Sequence, residues 1–148
     1  SVVGPIRAGV PVKVYGPDWR GYIPAESIAA TAIDNKELAE RYETAAVVLN
    51  DHWPAMKAEG FISNRPYDVV AAGGRVLSDK VEGIEAEFGG AVRTYRSVDE
   101  LIRLLSGDLD ALFPSSSELA RISESVRQRS SFDARARVLL DHARALYP

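Results

Sequence analysis

Three short apolar runs, AVVLN (residues 46–50), RVLSD (75–79) and AVRTY (91–95), constrain the fold more than any other feature of this chain. None shows the strict in-out alternation of a strand with one wet face, so each must be covered on both sides, as strands of a parallel sheet are. The segments between them carry helical spacing, and alternating strands and helices fold as a parallel α/β sheet flanked by helices. An earlier strand is expected at VPVKVYG (10–16), which alternates and runs into Gly-Pro. Such sheets bind ligands outside the carboxyl ends of their strands.

The helices are marked by their ends. Leu38, Tyr42 and Ala45 share one face of a helix expected over 36–45. A second helix over 65–72 is stopped by Gly73-Gly74. Ser97 with Glu100, and Ser115 with Glu118, have capping-box spacing. The apolar faces that follow are Leu101, Leu104 and Leu105, then Leu119, Ile122 and Val126, then Ala136, Leu139, Leu140, Ala143 and Leu146. The last two predict closing helices at about 115–129 and 132–147. The stretch carrying Trp19 and Pro24 reads as a loop. The opening SVVGPIRAGV reads as the tail of a helix entering a strand, so one domain over 1–148 is expected, lacking its first strand.

Composition narrows the function. A net charge of −3 exerts no chain-wide pull toward nucleic acid. With no cysteine and two isolated histidines, His52 and His142, no metal site is expected. No run of about 18 apolar residues is present, so no membrane span is expected. The first residues lack the charged-then-apolar order of a signal peptide, and a cytoplasmic protein is expected.

The stretch GFISNRPYDVVAAGGRVLSD (60–79) carries the chemistry. Ser63 or Asn64 can cap the helix, and Pro66 falls in its first turn, where a missing N–H costs nothing. The free amides and partial positive charge of that turn attract anions, and Arg65 adds a fork of donors suited to a diphosphate. Asp68 can accept two hydrogen bonds from the vicinal hydroxyls of a ribose. The same residues also read as ordinary helix furniture: a cap, a solvated cation and an acid favoured by the dipole. Gly73-Gly74 reads as a helix stop. Trp19, Tyr22 and Trp53 can stack on a base or pad the edge of the core. For His52 the sequence offers no catalytic partner.

The stretch resembles the glycosyltransferase group 1 family, in particular the C-terminal nucleotide-sugar-binding domain of two-domain GT-B enzymes in the branch similar to spore-maturation glycosyltransferases. VKVYGPDW, ERYETAAVVLN, KVEGIEAEFG, VRTYRSVDELIRLL and SSFDARARVLL resemble further segments of that branch in the same order. The resemblance implies a Rossmann-like sheet, the C-terminal half of a GT-B enzyme. Asp68 matches the family's ribose-binding acid, with Asp in place of the usual Glu. Glu59 matches the acid near the donor sugar, with one more intervening residue than the family pattern, and is the implied catalytic residue. Gly60, Phe61, Asn64 and Arg65 are the further implied donor contacts. Ile33 falls where the family's backbone meets the nucleobase. Ser130, Ser131, Phe132 and Asp133 stand where His-x-Tyr-Glu is common.

The resemblance implies transfer of a sugar from a nucleotide diphosphate to an unidentified acceptor, with no cofactor beyond that substrate. The acceptor domain is expected N-terminal to this one and outside the sequence. The isolated chain is expected to be inactive and prone to self-association. A non-catalytic nucleotide or sugar-phosphate binding module, or a flavodoxin-like interaction domain, would fit the same sheet.

Overall fold

The computed structural model describes residues 1–146. It has parallel sheets flanked by helices, the α/β architecture expected of a GT-B half. The three apolar runs become β3 (Val48–Asn50), β4 (Val76–Asp79) and β5 (Val92–Tyr95), adjacent and parallel in that order. Register aligns Val48, Val76 and Val92 in one row, Leu49 with Leu77, and Asn50, Ser78 and Thr94 in the row at the carboxyl end.

Alternation along these strands feeds two cores. Val76 and Val92 face a cluster containing Val69, Val70, Ile84, Phe88 and Val126. Leu77 and Tyr95 face the opposite one, with Leu101 and Phe113. The first is walled by α4 (Asn64–Ala71), α5 (Ile84–Glu87) and α8 (Ser116–Ser130), the second by α6 (Val98–Leu105) and α7 (Leu109–Leu112). Burial on both faces is why the strands read as unbroken apolar runs.

The front of the chain departs from one continuous sheet. VPVKVYG contributes only β1 (Val14–Tyr15), which pairs in parallel with β2 (Ile28–Ala30) in a separate two-stranded sheet. The stretch expected to be loop therefore holds a strand, reached through a 3-10 turn at Ala25–Ser27. Before it, α1 (Val3–Arg7) is the helix tail read at the start of the sequence, and Gly4 lies against Val98 of α6.

Chain punctuation follows local chemistry. Asp34 caps α2 (Asn35–Thr44) by accepting the Lys36 amide at 2.9 Å. Ser97 accepts the Glu100 amide at 3.1 Å, and Glu100 reaches back to the Arg96 amide at 2.8 Å, one residue earlier than a capping box requires. Ser115 accepts the Glu118 amide at 3.4 Å. Helix α4 ends in a Schellman motif: the Gly73 amide bonds the Val70 carbonyl at 3.0 Å and the Gly74 amide the Val69 carbonyl at 2.9 Å. Gly73 takes φ +91°, and a Cβ on Gly74 would lie 2.5 Å from the Tyr42 carbonyl oxygen of α2. The glycine pair is thus a helix stop and a close helix contact.

Closing the chain, α9 (Phe132–Leu146) has no buried residue; Leu139 is 72% and Leu146 74% exposed. Its expected end at residue 147 lies outside the described residues. Among the described residues, no helix is long and apolar enough to cross a membrane.

Candidate functional site

The polar ends of the central strands converge. Asn50, the last residue of β3, is 1% exposed and donates from Nδ2 to Ser78 Oγ at 3.0 Å across the strand pair. Its Oδ1 accepts from Ser63 Oγ at 3.2 Å. Tyr95 at the end of β5 reaches the Asn50 carbonyl at 3.2 Å and Asp51 Oδ1 at 2.5 Å. Asp51 Oδ2 also accepts from the Ser1 α-amino group at 3.0 Å. Burial alone would raise the Asp51 carboxyl, but hydrogen bonds from Ser1 and Tyr95 outweigh it and hold the group below its ordinary value. Burial and the adjoining Asp51 carboxylate push the Tyr95 phenol well above its own.

His52 has a partner that local sequence does not reveal. Asp79, the last residue of β4, accepts from His52 Nδ1 at 2.6 Å and from its backbone amide at 3.1 Å through the same oxygen. The other carboxylate oxygen accepts from Lys57 Nζ at 3.2 Å, on the short helix α3 (Pro54–Ala58). The imidazole is fully buried, and among the described residues its Nε2 has no hydrogen-bond partner.

This network borders the start of α4. Ser63 occupies the N-cap position, yet its side chain makes no capping bond, being directed to Asn50 instead. Asn64 is already helical, so neither candidate cap shields the first-turn amides. No acidic residue lies in that turn. Arg65 and Asp68 are both exposed on α4. Partial burial raises the Asp68 carboxyl, opposed by the nearby positive charge of Arg65. An uncapped helix start with an adjoining guanidinium can hold an anion, and a carboxylate one turn on can accept hydroxyls.

The other expected site residues lie around this start. Helix α3 closes with the Gly60 amide on the Lys57 carbonyl at 3.3 Å and the Phe61 amide on the Met56 carbonyl at 2.8 Å. Gly60 adopts φ +71°, and this turn delivers the chain to Ser63. The Phe61 amide is therefore used internally, while its ring is 63% exposed. Glu59 is exposed at the end of α3, and its carboxylate makes no hydrogen bond or ion pair among the described residues. Ile33 is half-buried in the loop between β2 and Asp34, away from the Asn50–Asp79 network in sequence and on the other sheet's outflow. A cavity of about 900 Å³ opens at the carboxyl ends of β1 and β2, lined by Gly16, Asp18, Trp19, Arg20 and Thr31 among others. Trp19 is half-buried there, whereas Tyr22 and Trp53 are 70% and 77% exposed. Among the described residues, no three His, Asp or Glu side chains gather as a metal site.

Residues 2–143 match the family described as glycosyl transferase-like. The chain belongs to that family. Comparison with the curated proteins and with the solved structures returns no match. For a glycosyl transferase-like domain, a sugar donor is the implied ligand. The carboxyl end of a parallel sheet is where such a ligand is met.

Proposed function

We propose that this chain is the nucleotide-sugar-binding half of a two-domain GT-B glycosyltransferase of the spore-maturation-like branch, working opposite an N-terminal acceptor domain. The observation that carries this reading is the uncapped first turn of α4, opening beside the polar ends of β3 and β4 with Arg65 exposed on it. The diphosphate of the donor sits on those amides and on Arg65, and Asp68 accepts the ribose hydroxyls. The base extends toward Ile33 and the cavity at the ends of β1 and β2. Glu59, with Gly60 and Phe61, faces the sugar. As the glycosidic bond breaks, negative charge grows on the leaving diphosphate, and the helix end with Arg65 stabilises it. The acceptor hydroxyl comes from the other domain, so the isolated chain turns over no donor onto an acceptor.

Titration with UDP and GDP, followed by amide NMR, tests the site. Shifts are expected at residues 64–68. Arg65→Ala should weaken a nucleoside diphosphate more than the nucleoside, by about 1.5–3 kcal/mol for a charge-assisted pair. Shifts confined to other residues, or equal losses for both ligands, would refute the assignment.

A further inference from the structure

We propose that His52 is a specificity-determining residue whose Nε2 accepts a hydrogen bond from a hydroxyl of the donor's sugar, an inference that rests on the donor-site reading above. A carboxylate only accepts, so the 2.6 Å contact with Asp79 Oδ1 places a proton on His52 Nδ1. In the tautomer with that single proton, Nε2 presents a bare lone pair. That atom is buried and has no donor among the described residues, a condition that folded proteins avoid unless something supplies the missing partner.

Its position says what can supply one. His52 lies two residues beyond Asn50, the residue whose side chain holds Ser63 at the start of α4. With a diphosphate on that helix start, the attached sugar is a neighbouring part of the ligand that carries O–H donors. Phosphate oxygens only accept, and a bare lone pair repels them, so this nitrogen discriminates in favour of a hydroxyl. Residues 53–61 are exposed at every position except Met56. Among the described residues their single side-chain hydrogen bond is Lys57 to Asp79. Such a segment has few buried contacts to lose, and the proposal requires it to move aside for the sugar to reach the ring.

The nitrogen-15 resonances of the His52 ring and the amides of α4 are followed together while the chain is titrated with UDP, UDP-glucose, GDP and GDP-mannose. Nucleotides and nucleotide sugars should both shift the amides of 64–68, and at least one nucleotide sugar should move Nε2 to the position of a hydrogen-bonded acceptor. His52→Phe should abolish the extra affinity of that nucleotide sugar over its nucleotide, about fivefold for one neutral hydrogen bond, leaving nucleotide affinity unchanged. Amide shifts in α4 with an unmoved Nε2 overturn this inference and leave the donor site standing. Absence of any response in α4 overturns both. A hydrogen-bonded Nε2 before ligand is added means that buried water is its partner, and equal losses for nucleotide and nucleotide sugar in His52→Phe mean a purely structural ring; either result overturns the proposal.

Discussion

Replacing Asp79 separates charge from hydrogen bonding at the hub of the polar network. In Asp79→Asn the amide oxygen can still accept from both the His52 ring and its backbone amide, while the contact with Lys57 is lost. Lys57 is 49% exposed, and an exposed pair of this kind contributes about 0–1 kcal/mol. Asp79→Ala removes the acceptor for two donors at once, one of them on a fully buried ring. At about 1–3 kcal/mol for each buried donor left unpaired, the loss comes to about 2–6 kcal/mol. For a domain of this size each kcal/mol lowers Tm by about 2–4 °C. Urea unfolding monitored by Trp fluorescence should therefore rank wild type just above Asp79→Asn and both well above Asp79→Ala, with similar m values. If the alanine variant fell within about 1 kcal/mol of the asparagine variant, the buried imidazole would not depend on Asp79, and the tautomer argument for His52 would lose its basis.

Asp68→Asn should slightly stabilise the ligand-free chain while weakening nucleotide binding: a carboxyl raised by burial costs stability when ionised at neutral pH, a cost relieved as pH falls toward its folded value. Loss of both stability and binding in that variant would instead indicate a structural acid. Glu85 behaves oppositely. Burial would raise it, but hydrogen bonds from the Thr94 hydroxyl and amide hold it below 4.5, so its contribution is present above that pH and lost as pH falls through the folded value. Glu85→Gln should flatten the acid-side fall of urea midpoints, and an unchanged slope would contradict this. Concentration-dependent dimerisation through the exposed Leu139 and Leu140 of α9 is expected in sedimentation, and Leu139→Glu with Leu140→Glu should abolish it; a wild-type monomer at all concentrations would show that this face does not self-associate.

What was legible in the sequence is what local spacing determines. β3, β4 and β5 stood out because two-sided burial forces continuous apolar runs, and α6 and α8 because Ser97 and Ser115 cap them within three residues. β2, α3, α5 and α7 were not foreseen. Each spans three to five residues, too short for a period to accumulate, and IAA in β2 carries almost no large apolar side chain. At the site, Asn64, Arg65 and Asp68 were legible as one helix turn. That Ser63 leaves the cap free was not, because its partner Asn50 comes from a strand 13 residues earlier. The His52–Asp79 pair is separated by 27 residues and exists only because neighbouring parallel strands end at the same level. The available hint was that AVVLN and RVLSD both finish in polar side chains, which a parallel sheet brings together at one edge.

On the donor site proposed above, the missing methyl group at position 74 would act as a length gauge for the ligand. Helix α2 begins just after Ile33, at one end of the proposed nucleotide, and α4 begins at Asn64, at the other. The two helices meet where Gly74 admits the Tyr42 carbonyl to within 2.5 Å of the point a Cβ would occupy. Any larger residue must part them by roughly 1 Å to reach ordinary contact distance. That would stretch the span between the proposed base and diphosphate positions by a comparable amount, without altering any residue assigned to the ligand. Displacements of about 1 Å remote from the chemistry can lower rates by about a hundredfold. If the proposed site holds, a glycine 41 residues from Ile33 sets how long a nucleotide the fold can grip at both ends.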